Sequence, residues 1–149
     1  MRAVIQRVLN ASLFVEGKKI SNIGKGAIIF LGVGEEDQES DAQKLALKIS
    51  KLRIYEDENG KMNKKINDYG GEILLVSQFT LYADCKNGNR PSFTQAKNPK
   101  EAKELYFKVQ KLLENENIAV KMGVFGADMK IEVLNDGPVT IILDSKDLK

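Results

Sequence analysis

Two short stretches carry most of the chemistry open to this chain. Ser77-Gln78-Phe79-Thr80 sets two hydroxyls and an amide where the run Glu72 to Tyr82 (EILLVSQFTLY) turns from apolar to polar. A hydroxyl is a latent nucleophile, and an amide beside main-chain N–H groups can hold a carbonyl or an oxyanion. On a strand, Ser77 and Phe79 would point one way and Gln78 and Thr80 the other. The second stretch is Asn135-Asp136-Gly137-Pro138-Val139-Thr140. Asn-Asp-Gly reads as a turn between two strands, after which Pro138 enters a strand without an N–H donor. A Gly-Pro bond reaches cis within about 1 kcal/mol of trans, and carbonyls turned that way can accept from an ammonium group. Each stretch also has a plain reading: a strand running out into solvent, and a hairpin with an edge proline.

Composition narrows the mechanism. The chain has no histidine and one cysteine, Cys85. That excludes Ser-His-Asp and Cys-His nucleophile systems, His-ligated metals and four-thiolate cages. No metal and no cofactor is expected. Ser77 and Thr80 then have no orthodox base, and a lysine would serve only if burial lowered its pKa strongly. A single thiol cannot close an internal disulfide, so Cys85 reads as an inert thiol in a loop, in a reducing compartment. The start, Met1-Arg2-Ala3-Val4-Ile5-Gln6-Arg7, has no signal-peptide pattern, and the longest apolar run, Ala27 to Val33, is too short to span a bilayer. A cytoplasmic protein is expected.

The 149 residues suit one domain, 1–149, with no linker or repeat. Net charge is only +2, but its distribution is uneven. Lys86, Arg90, Lys97, Lys100, Lys103, Lys108 and Lys111 face only Glu101 and Glu104 over 26 residues, net +5. Lys61-Met62-Asn63-Lys64-Lys65 is a smaller basic spot. Such segments are solvated faces or a phosphate-contacting surface. Arg90-Pro91-Ser92-Phe93, beside Lys86 and Gly88, fits a nucleic-acid contact loop or a flexible connector.

The elements that must position these groups follow from periodicity. Arg2 to Leu9 and Ser12 to Glu16 read as strands, with a hairpin turn at Glu16-Gly17-Lys18-Lys19. Gly26 to Val33 reads as a strand buried on both faces. Ala42, Leu45, Ala46, Ile49 and Leu52 form one helical stripe, with Ser40-x-x-Gln43 as its capping box and an acidic cluster (Glu35, Glu36, Asp37, Glu39, Asp41) at its positive end. Asp57 to Gly60 is a turn. Asn98 caps a second helix, Pro99 opens it, and Ala102, Leu105, Tyr106, Val109, Leu112 and Leu113 form its buried stripe. Ile118 to Phe125, Met129 to Leu134 and Val139 to Leu143 read as strands. Phe125 and Met129 flank Gly126-Ala127-Asp128 and make a pocket wall or simply core. The order predicts an α/β domain with mixed sheets. Gly32-Val33-Gly34 lacks the third glycine of a dinucleotide turn and precedes three acids, which excludes that use.

Taken together, these motifs resemble the D-aminoacyl-tRNA deacylase (D-tyrosyl-tRNA(Tyr) deacylase) family over nearly the whole chain. The resemblance rests on Met1 to Val8, Leu52-Arg-Ile54, Gly60-Lys-Met-Asn63, Gly71 to Leu81, Gly88 to Phe93, Gly123 to Met129 and Asn135 to Thr140. It implies a three-layer α/β/β fold with two main helices on one side, and a homodimer. It implies hydrolysis of the ester joining a D-amino acid to the 3′-terminal ribose of tRNA, and removal of glycine from tRNA(Ala), with no membrane partner. By the same resemblance Gly137-Pro138 is a cis pair lent to the partner subunit's pocket, Arg7 holds that loop, and Ser77, Gln78, Phe79 and Thr80 line the ester. Phe125 and Met129 join the substrate site, and Lys86, Arg90 and Lys97 the tRNA contacts. Catalysis is expected to lean on the terminal ribose 2′-OH. The alternatives are Thr80 as a covalent nucleophile, and a non-catalytic RNA-binding module. The chain departs from the family pattern at Ala96-Lys97, where two small residues are usual, so Lys97 is expected to affect the approach to the second helix or tRNA contacts.

Overall fold

A computed structural model describes residues 1–149. Its elements are β1 (Arg2–Val15), β2 (Lys18–Ile23), β3 (Gly26–Gly32), α1 (Glu39–Lys51), β4 (Tyr55–Glu56), β5 (Met62–Lys64), the short α2 (Ile66–Tyr69), β6 (Glu72–Ser77), α3 (Pro99–Asn115), β7 (Ala119–Met122) and β8 (Lys130–Asp144). Two 3₁₀ turns, Phe79–Tyr82 and Ser145–Asp147, follow β6 and β8.

β1 organises the sheet. The two strands expected over Arg2 to Glu16 are one, because the polar interval Asn10 keeps its ladder bonds. Along one edge β1 pairs antiparallel with β2 and then β3, which lie end to end; along the other it pairs with β8. β3 then takes β6 in parallel, and β6 takes β7 in parallel. The mixed sheet is thus ordered β8, β1, β2/β3, β6, β7. It coils enough for Ser21 Oγ of β2 to donate to the Met122 carbonyl of β7 at 2.9 Å.

Period-two alternation sorts β3 between two cores. Ala27, Ile29 and Leu31 meet α1 and α3 on one face, while Ile28 joins Val8, Leu13, Leu74 and Val76 on the other. Both long helices therefore lie on one side. α1 buries Ala42, Leu45, Ala46 and Ile49, and α3 buries Ala102, Tyr106, Val109 and Leu113. Asn98 caps α3 as expected, its Oδ1 accepting from Glu101 N at 3.1 Å. The cap of α1 is different. Gln38, not Ser40, precedes the helix, and Gln38 N donates to the Asp41 carboxylate at 2.9 Å. Ser40 lies inside the first turn.

Two further expectations change. Ile118 to Phe125 shortens to Ala119–Met122, its last bond to β6 running from Gly123 N to the Leu75 carbonyl at 3.0 Å. Asn135-Asp136-Gly137 is not a hairpin turn: β8 continues through it, and Asp136 to Val139 stand opposite Arg7 alone, between the pairs Val8–Asn135 and Gln6–Thr140. The chain detours out of the ladder and returns to the same edge of β1.

The acidic stretch before α1 also holds a buried group. Asp37 is 3% exposed, with the Met1 amino group at 2.8 Å, Gly34 N at 2.6 Å and the Tyr82 hydroxyl at 3.1 Å. The Met1 amino group donates in turn to Ser145 Oγ, which donates to Asp41. Asp37→Asn removes one charge from a buried pair and is expected to cost about 3 kcal/mol in chemical denaturation. A loss under about 1 kcal/mol would show that the pair does not carry this junction.

Asp41 and Asp144 both sit below the usual carboxylate range. For each, burial pushes the pKa up but is outweighed: at Asp41 by the Gln38 N–H and the Ser145 hydroxyl, at Asp144 by the Lys146 N–H and Arg2. In acid the unfolded chain binds the proton first, so their contribution is present at neutral pH and is lost as pH falls through the folded pKa values. The thermal midpoint is expected to fall below about pH 4, and less steeply in Asp144→Asn.

Candidate active site

β6 is buried from Ile73 to Val76 because β3 and β7 flank it and a core lies on each face. It ends at Ser77. Gln78 leaves the strand at φ −148°, ψ 83°, and the next residues wind into the 3₁₀ turn. The alternation expected through Thr80 therefore stops at Ser77. The turn is held on the sheet by Gln78 N donating to the Leu31 carbonyl at 2.8 Å. Within it, Gln78 Nε2 donates to Thr80 Oγ1 at 2.6 Å. The Thr80 hydroxyl thus accepts from an amide, which is no base.

A cleft of about 620 Å³ opens at this strand end. Ser77, Gln78 and Phe79 form one wall, Phe125 to Met129 another, and Phe93 with Ala96 to Pro99 a third. Phe79 and Phe93 pack edge to face at its rim, ring centroids 5.0 Å apart. Tyr106 of α3 lines the floor, 1% exposed, its hydroxyl donating to the Leu75 carbonyl at 2.7 Å. Burial pushes its phenol pKa up, so it stays a neutral donor. Burial, then the neighbouring Asp37 carboxylate, does the same to Tyr82, which closes the 3₁₀ turn.

Ser77, Gln78, Phe79, Phe125, Met129 and Lys97 all line this cleft, and Thr80 meets it through Gln78. Gly137 and Pro138 do not. They sit in the detour of β8, joined by a cis peptide bond. Gly137 has φ +126°, and a Cβ there would lie 2.8 Å from Val139 Cγ2 and 3.3 Å from the Arg7 guanidinium. Arg7, 4% exposed, holds the detour: Nε donates to the Asp136 carbonyl at 3.1 Å and faces its carboxylate at 3.3 Å, while Nη1 donates to the Ile54 carbonyl at 2.8 Å. Lys86 and Arg90 are exposed in the loop pinned by pairing of Asp84 with Ser92. Lys97 is held inward, its ammonium donating to the Glu35 carbonyl at 2.7 Å.

Asp37, Tyr82 and Ile54 support the site, and the sequence alone does not single them out for that role. Spacing does not distinguish Asp37 from its acidic neighbours, and Ile54 acts through a carbonyl. Tyr106 left a signal: a hydroxyl on an apolar helical stripe needs a partner. No group of three or more His, Cys, Asp and Glu side chains is placed to hold a metal ion, and no helix is long and apolar enough to cross a membrane.

Residues 4–144 match the family model described as D-Tyr-tRNA(Tyr) deacylase. The chain is 54% identical to a D-aminoacyl-tRNA deacylase of Dictyoglomus turgidum over all of its length and 96% of the relative's. It is 52% identical to one of Thermosipho africanus over 98% of each. A solved structure described as c-Myc DNA Unwinding Element Binding Protein superposes with TM-score 0.90 at 41% identity, covering 97% of this chain and 98% of that one. Another, described as a probable eukaryotic D-amino acid tRNA deacylase, shares the fold with TM-score 0.82 at 15% identity, over 95% and 97%.

The Arg7 contacts set one expectation. Arg7→Met keeps the stem but leaves the Ile54 and Asp136 carbonyls without their charged donor, at a cost of about 2–3 kcal/mol. Chemical denaturation measures it, and a change within about 0.5 kcal/mol would show that the detour holds itself.

Proposed function

The chain belongs to the D-Tyr-tRNA(Tyr) deacylase family, and from that membership we propose the reaction in detail and the residues that perform it. It is an enzyme, a hydrolase acting on aminoacyl-tRNA. The proposed substrates are D-aminoacyl-tRNA, cut at the ester to the 3′-terminal ribose, and glycine mischarged on tRNA(Ala). The single domain over 1–149 works in the cytoplasm as a homodimer.

One observation carries the reading of the site: the Gly137-Pro138 detour is held rigidly by Arg7, yet lies outside its own chain's cleft. In a two-fold dimer it enters the partner's cleft instead, where its carbonyls take the substrate α-ammonium and leave no room for an L side chain. Backbone is an unyielding excluder, so the discrimination is steep. Glycine, with no side chain, passes.

Ser77, Gln78, Phe79 and Thr80 position the ester in this scheme, with Phe125 and Met129 behind the acyl group. The Gln78 amide and main-chain N–H groups take the charge that grows on the carbonyl oxygen when water adds. The tetrahedral adduct then expels the ribose 3′-oxygen, which gains a proton. With no side-chain base in the turn, the neighbouring 2′-OH assists the proton transfer. Donors aimed at the developing charge, together with orientation, supply several kcal/mol of the barrier reduction. Lys86 and Arg90 meet backbone phosphates. The second reading, Thr80 as covalent nucleophile, is disfavoured by its hydroxyl meeting an amide donor in place of a base.

Release of free tyrosine from D-Tyr-tRNA separates this enzyme from a non-catalytic RNA-binding module. Thr80→Ala is expected to lose no more than about tenfold in turnover, through its hold on Gln78; loss beyond about a thousandfold would restore the nucleophile. A tRNA ending in 2′-deoxyadenosine is expected to resist hydrolysis, and unchanged cleavage would remove the RNA from the mechanism. Sedimentation is expected to report a dimer.

A further inference from the structure

Residues Ala83 to Asn98, between the 3₁₀ turn and α3, have no regular structure, yet they supply the third wall of the cleft. Few contacts pin that wall. Asp84 pairs with Ser92, and Phe93 packs on Phe79. Near α3, Ala96 pairs with Gly34 in an isolated antiparallel bridge. Glu35 N donates to the Gln95 carbonyl at 2.9 Å, and Lys97 N to the Val33 carbonyl at 3.0 Å.

Lys97 adds a bond of another kind. Its ammonium turns back over this pairing and donates to the Glu35 carbonyl at 2.7 Å, with Glu101 at 3.8 Å. Only a tenth of the side chain is exposed, in a stretch whose other lysines and arginines face solvent. An ammonium withdrawn from water needs its donors answered, and a charged donor to a carbonyl is a strong hydrogen bond. The turn it reaches is firm, because Asp37 holds Gly34 N at 2.6 Å.

We infer that Lys97 is a positioning residue: its ammonium latches the Phe93–Asn98 wall to Glu35 and so sets the width of the cleft opposite Ser77 and Gln78. This rests on the proposed deacylase reading of that cleft. The latch competes with a direct role, because an ammonium held by Glu35 is not free for a phosphate.

Lys97→Met keeps the stem and removes the latch; Lys97→Arg keeps a charged donor. With D-Tyr-tRNA, Lys97→Met is expected to lower kcat about fivefold or more with KM little changed, and Lys97→Arg to recover most of it. The dependence of kcat/KM on salt is expected to stay as in the wild type, since no phosphate contact is lost. Amide exchange at Glu35 and Lys97 is expected to quicken by about tenfold in Lys97→Met, whatever the activity. A salt slope reduced by about one would overturn the latch in favour of a direct phosphate contact. Unchanged exchange would overturn it outright. A wild-type protein inert toward D-Tyr-tRNA would sink the deacylase reading instead, and the exchange measurement still decides the latch.

Discussion

A carboxylate almost out of contact with water must have its charge answered from within the protein, and Asp37 draws its three donors from three places. The Met1 amino group comes from the foot of β1, Gly34 N from the turn after β3, and the Tyr82 hydroxyl from the end of the 3₁₀ turn. Such a pair adds little net stability over an apolar equivalent, since desolvation offsets most of the attraction. What it does is registration, because each donor must arrive within a few tenths of an ångström. Gly34 is part of the same constraint. A Cβ there would fall 2.6 Å from the Tyr82 ring, so only glycine lets the turn approach. The Gln78–Tyr82 segment is thereby clamped at both ends, by Leu31 at its start and Asp37 at its finish.

The second constraint lies on the other side of β1. A strand that leaves a ladder and returns to it needs its detached carbonyls satisfied, and Arg7 meets that need from the opposing strand. The guanidinium is planar and permanently charged, so one side chain reaches Asp136 and Ile54 in fixed directions. A lysine could not hold both. The Ile54 contact also docks the β4–β5 hairpin beside the detour. Both halves of the proposed machinery thus hang on β1 and β3.

Much of this was legible in the sequence because local rules and burial agree there. The α3 stripe, its Asn98 cap, the doubly buried β3 and the turn at Glu16-Gly17 each satisfy periodicity and end signals together. The misreadings fall where tertiary contacts override a local signal. Asn-Asp-Gly is a sound hairpin signal, but β1 is long enough to pair on both sides of it, so the strand resumes. EILLVSQFTLY reads as strand to its end, but β7 pairs only as far as Leu75, and past Ser77 no neighbour continues the ladder. The capping box at Ser40 lost to Gln38 and Asp41 because Asp41 is also held by Ser145, 104 residues away. Neither that contact nor the choice of Asp37 among five acids has any trace in spacing.

The lack of histidine and the form of the cleft bear on each other. An enzyme that activates its nucleophile with a side-chain base can tolerate some looseness in the substrate, because the base follows the nucleophile. Where proton transfer leans on a hydroxyl of the substrate, as proposed here, the protein contributes chiefly geometry, and geometry is lost by small displacements. That requirement accounts for the investment in fixed backbone: a strand end clamped by Leu31 and Asp37, a floor tied by Tyr106 to Leu75, and a detour held by a buried guanidinium. It also separates two kinds of selectivity. In the proposed scheme chirality is judged by main chain that cannot yield. In the same scheme side-chain identity is judged only by Phe125, Met129 and an open cleft of about 620 Å³, which is ample for many acyl groups. The proposed scheme thus makes the enzyme strict about handedness and permissive about which amino acid it removes.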